Sequence, residues 1–134
     1  MRLQNISLRR LALLELGFKP EGRHFRHPEK PFLVEFLGPP LSIGATVVRK
    51  IAEIRASRRT LHLLSPTDCV KDRLAAFYFW NDRQALEQAV LVALRQPIDL
   101  RDIKSWSRSE GLPERLAEFL RKLNERKKKR KARR

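Results

Sequence analysis

Three features of the sequence predict an α+β fold. Short aromatic and β-branched runs broken by Gly and Pro gather in its first half, helix-period apolar spacing fills its second half, and a sharp helix-start signal, Ser65-Pro66-Thr67-Asp68, divides the two. Strands that come early and helices that come late segregate into a sheet beside a bundle. The expectation is a short mixed or antiparallel sheet with a hairpin, followed by a C-terminal helical bundle.

The elements follow in order. Leu8, Leu11, Leu14 and Leu16, with Leu13 beside them, give a broad apolar helical face, and Gly17 stands where the helix takes its C-cap. Residues 22–28 and 31–37 are two short strand-like runs, separated by Pro28-Glu-Lys-Pro31, and read as a hairpin. Residues 38–44 form a Gly/Pro loop, and Val47 to Ile54 fits a strand or a helix turn. Thr60 to Leu64 is a strand. At the boundary, Ser65 caps a helix, Pro66 takes the first position and Asp68 complements the helix dipole. Val70, Leu74, Phe77 and Tyr78 make its buried face, and Leu86, Ala89, Val90, Ala93 and Leu94 that of the next, with Asn81-Asp82 at the joint. Pro97 stops that helix. Asp99 caps a short one holding Ile103 and Trp106, Gly111 ends it, and Leu112-Pro113-Glu114 opens the last, whose apolar side is Leu116, Phe119, Leu120 and Leu123.

With 134 residues the chain fits one domain. We read residues 1–123 as that domain and 124–134, which have nothing to bury, as a basic tail that is solvated or disordered. Thirty Lys and Arg against fifteen Asp and Glu give a net charge of +15, a field that attracts polyanions such as nucleic acid. A single cysteine, Cys69, excludes an internal disulfide framework and an all-cysteine zinc site. No run of about 18 apolar residues is present, so a membrane partner is not expected and a cytoplasmic location is.

Candidate chemistry centres on residues 63–76, Leu-Leu-Ser-Pro-Thr-Asp-Cys-Val-Lys-Asp-Arg-Leu-Ala-Ala, and on Tyr78-Phe-Trp-Asn-Asp-Arg-Gln-Ala-Leu-Glu-Gln-Ala89. This pattern resembles the helical part of small nucleotidyltransferases of the DNA polymerase β-like superfamily, including toxins of abortive-infection systems. The resemblance implies nucleotide binding by Lys71, Arg73, Asn81, Asp82 and Arg83, with a nucleotide triphosphate as ligand. Upstream, residues 13–18, 22–28 and 32–36 are similar to the helix and hairpin after the superfamily's first active-site strand. Glu35, between Val34 and Phe36, then stands at the third acidic position. The similarity spans about residues 8–123.

The departure is large. The superfamily holds the triphosphate on a Gly-Ser turn and two metals on an Asp-x-Asp or Asp-x-Glu pair. No Gly-Ser pair occurs here, and every Asp lies at position 68 or later. The resemblance therefore implies a truncated product, a half that needs a complementing chain, or a relative that kept only the scaffold. It is expected to be inactive alone, and Mg²⁺ would enter only if another chain supplied the missing motif. Phosphate affinity can outlast the chemistry.

Each residue also has a plainer reading. Lys71 and Arg73 could be the solvated face of a helix, Asp68 and Asp82 caps, and Glu35 an outward strand residue. His24 and His27, with His62 distant, lack zinc-site spacing. Phe77, Tyr78, Phe79 and Trp80 read as core, with Trp80 also placed to stack on a base. The tail, Arg126, Lys127, Lys128, Lys129, Arg130, Lys131, Arg133 and Arg134, could bind RNA or DNA phosphate without reading sequence. The alternatives to a nucleotidyltransferase-like protein are thus a non-enzymatic nucleic-acid binder that works through its tail, or an interaction subunit that completes a split enzyme.

Overall fold

A computed structural model describes residues 2–134, and their side chains from residue 8 onward. It is α+β: α1 (Arg2–Glu15), β1 (Lys19–Glu21), β2 (His24–Arg26), β3 (Leu33–Glu35), β4 (Ser42–Ile43), β5 (Thr46–Val47), β6 (Ile51–Ala56), β7 (Arg59–Leu64), α2 (Pro66–Trp80), α3 (Arg83–Arg95), α4 (Leu100–Ser109) and α5 (Pro113–Ala132). All strand pairs are antiparallel. The single expected sheet is three small ones, ordered β1-β2-β3, β4-β5 and β6-β7. The undecided stretch from Val47 to Ile54 resolves into the end of β5 and most of β6.

The chain separates into two compact units at Pro39–Pro40, where Gly38-Pro39-Pro40 offers no ladder amide at two of three positions. In the first, the predicted hairpin is present, with His24 opposite Glu35 and Phe25 opposite Val34. An added strand, β1, lines up Pro20 with Phe25. Gly17 follows α1 at φ +88°, and its amide donates to the Leu14 carbonyl. The leucine face of α1 does not join a core: Leu8, Leu11, Leu14 and Leu16 stay exposed.

The second unit carries the main core. Ser65 caps α2 as expected, its hydroxyl accepting from the Asp68 amide at 3.1 Å. Asn81 ends that helix at φ +51°, and Asp82 caps α3 by accepting from the Ala85 amide at 3.0 Å. Asp99 caps α4 through the Arg101 and Asp102 amides. These stops turn one helical stretch into three short helices whose apolar faces meet α5. Val70, Leu74, Phe77, Leu86, Val90, Ile103, Phe119 and Leu123 are wholly buried there, each worth roughly 1.5–3 kcal/mol of transfer free energy. Tyr78 stacks on Trp106 at 5.6 Å, and its hydroxyl is hydrogen-bonded to Ser107, so the polar atoms among these rings are satisfied.

The expected boundary at Leu123 does not exist as a change of structure. Helix α5 runs on through Ala132. Lys and Arg are good helix formers, and nothing after Pro113 breaks the pattern. The extension is also tied down on α3: Glu87 takes Lys122 and Arg126, and Arg130 donates to the Leu94 carbonyl at 2.8 Å.

Candidate functional site: a cleft at the start of α2 and a basic seam on α5

Residues expected to share one nucleotide site lie in different places. Lys71 sits near the start of α2, its side chain only 8% exposed, with Nζ 2.7 Å from Asp102 and 3.5 Å from Asp68. It borders a cleft of about 490 Å³ formed by the β4–β5 turn region, the start of α2 and α4, whose polar lining includes Arg49, Lys50, Ser65 and Thr67. Arg73 points elsewhere, to Asp72 and to Gln88 at 3.3 Å.

Asn81, Asp82 and Arg83 stand at the far end of α2, about 15 Å along the helix from Lys71 at 1.5 Å per residue. Each has structural work. Asn81 caps α2 while its side-chain oxygen accepts from Arg115 at 2.5 Å, Asp82 caps α3, and Arg83 pairs with Glu118 at 2.7 Å. The guanidiniums of Arg83 and Arg115 both lie over the buried Phe77 ring, at 5.3 and 4.9 Å. The spacing that suggested a phosphate-facing Lys and a later polar cluster is thus two separate constructions. One is an ion triad and the other is a helix joint.

Glu35 belongs to the first unit, on β3, 3.6 Å from His24 and 3.9 Å from Arg23. His27 there packs edge-on against Phe18 and accepts from the Glu29 amide. Among the described residues, no three His, Cys, Asp or Glu side chains come together to hold a metal ion. In the cleft, the ammonium of Lys71 already occupies the space between Asp68 and Asp102, so those carboxylates do not fit the two-metal chemistry the resemblance would require. Cys69 is no ready nucleophile either, since burial and then Asp72 push its thiol up against the opposing pull of Arg73.

The basic tail residues form the second candidate. Helices α3 and α5 run side by side in the same direction, because the partners climb together: Arg83 with Glu118, Glu87 with Lys122 and Arg126, Leu94 with Arg130. Hydrogen bonding from Lys122, with Arg126 nearby, holds the Glu87 carboxyl below its ordinary range, and Arg83 does the same for Glu118. Beyond Glu87 the seam has no carboxylate. It opens into a groove with Leu91, Leu94 and Arg95 on the α3 side and Arg126, Lys129, Arg130 and Arg133 on the α5 side. A neighbouring groove places Lys127, Lys131 and Arg134 about Leu94. At the sequence level Leu94 reads only as part of a buried face and neither Leu91 nor Arg95 is named, although Arg95 in the last turn of a well-marked helix is visible as a dipole-complementing cation.

Comparison of the chain with protein-family models, with curated proteins and with solved structures finds no match in any of the three. No helix among the described residues is long and apolar enough to cross a membrane.

Proposed function

We propose that this chain binds nucleic-acid phosphate, without base-edge recognition, through the α3–α5 groove and the basic end of α5. The observation that carries the reading is that α5 continues as a helix for two turns past its last buried residue, Leu123, and that eight of the last nine residues of the sequence, six of them within α5, are Lys or Arg. A helix holds these cations in fixed rows. Such rows neutralise phosphates and release counterions, while Lys and Arg not aimed at base edges read charge alone. We place this activity in the cytoplasm as part of the same reading. The test replaces Arg126, Lys129, Arg130 and Arg133 together by Gln and measures RNA and DNA binding, with circular dichroism to follow the fold. Binding should fall at least tenfold with helicity retained, and unchanged binding would refute the groove.

A second reading keeps the nucleotidyltransferase resemblance, with this chain inactive alone and completed by another chain. The cleft at the start of α2 favours it, because Ser65, Thr67, Arg49 and Lys50 line it beside Lys71. Calorimetry with ATP, CTP, GTP and UTP, with and without Mg²⁺, tests it against Lys71→Ala. Heat lost in that variant supports a phosphate site, and no heat with any nucleotide rejects it.

A further inference from the structure

Trp80 is the most conspicuous side chain left over by the fold. It lies at the end of α2 and is 83% exposed, while Phe77 and Tyr78 before it are buried in the core and Phe79 is half exposed. An indole left in water forgoes the burial free energy that fixes Phe77 and Trp106, so packing does not explain its place.

Its position in the second unit is defined by its neighbour. Asn81 accepts from Arg115 in the first turn of α5, which puts the end of α2 at the starting end of the α3–α5 seam. On α5 and its C-cap Arg133, positions 115, 122, 126, 129 and 133 share one helix face at 100° per residue. The seam therefore runs from Arg115 beside Asn81 to Arg133 in the groove, about 27 Å at 1.5 Å per residue. Its two carboxylates, Glu87 and Glu118, are each neutralised by cations of the seam itself.

We propose that Trp80 is a base-stacking site at one end of this track and that the preferred ligand is single-stranded nucleic acid. The inference rests on the nucleic-acid reading above and adds the strandedness. Phosphates of one strand follow the cations of α5 and an unpaired base stacks on the indole. A duplex keeps its bases stacked on one another and can offer the track only its backbone. Stacking of this kind tolerates any base, since each has a π-face.

The experiment compares a 12-nucleotide single strand with a duplex of the same sequence, by fluorescence anisotropy, on the full chain and on Trp80→Ala and Trp80→Phe. Trp80→Ala should weaken single-strand binding by roughly 5- to 150-fold and leave duplex binding within twofold, and Trp80→Phe should keep most of the affinity. Because the indole is exposed, the fold should survive both changes. Equal loss on both ligands, or no loss on either, would overturn the stacking site while leaving phosphate binding by α5 intact. Failure of the unaltered chain to bind either oligonucleotide would overturn the nucleic-acid reading, and this inference with it.

Discussion

Gly44 shows how much one position can carry. It opens the two-residue turn between β4 and β5 at φ +58°, and a Cβ placed there would lie 2.3 Å from the Glu110 carboxylate. That carboxylate accepts from the Ala45 amide at 3.0 Å, and Trp106 donates to the Ile43 carbonyl at 3.3 Å, so the turn is pinned on α4 from both sides. Gly44→Ala should destabilise the chain by about 1–3 kcal/mol, from left-handed strain plus displacement of Glu110. Urea unfolding of the two proteins measures it, and a difference under about 0.3 kcal/mol would mean that the turn is not pinned. Lys71 teaches the complementary lesson. Its place on α2 was legible from the sequence, but whether its charge faced phosphate or carboxylate depended on Asp102, thirty-one residues away, and no local pattern encodes that pairing.

Among the elements, those with local punctuation were the most legible. Ser65 and Asp99 are caps in the sequence and caps in the structure, Asp82, whose cap reading stood beside a nucleotide-binding one, caps α3, and the Pro28–Pro31 turn joins the expected hairpin. The Val47–Ile54 stretch was ambiguous because its strand character comes from pairing, with Glu53 opposite His62 and Ile54 opposite Leu61. The part of the last helix beyond Leu123 is not legible in apolar spacing, because the apolar pattern ends at Leu123 while the helix runs on to Ala132. Its continuation follows from the helix propensity of Lys and Arg, while its docking on α3 depends on charge, namely Glu87 between Lys122 and Arg126. That dependence has a pH signature. The Glu87 carboxyl is held below its ordinary value near 4.5, so its contribution is complete above that pH and is lost as pH falls through the lower folded value. Glu87→Gln should therefore loosen the α3–α5 seam at pH 7, and its difference from the unaltered chain should shrink as pH falls through the lowered folded value. Amide exchange in α5, followed from pH 7 downward, reads this directly; a difference that does not shrink with falling pH would exclude the ion pairs as the cause.

At the scale of the molecule, a charge of +15 was plain from composition and named only a class of partner. The structure gives that charge a form. The cationic end of α5 is a helix laid against α3, and the groove between them needs Leu91, Leu94 and Arg95, which come from another part of the chain. Such residues could not be found from the tail's own sequence, because a row of Lys and Arg carries no sign of what it packs beside.

Salt dependence of nucleic-acid binding tests the central proposal most directly. Affinity of the full chain for a single strand, followed from about 50 to 200 mM salt, should fall linearly on logarithmic axes, with a slope of about −0.7 for each phosphate neutralised. If the four groove cations each take one phosphate, replacing Arg126, Lys129, Arg130 and Arg133 by Gln should flatten that slope by about 3. A slope near zero, or one that the four replacements leave unchanged, would contradict phosphate binding by α5.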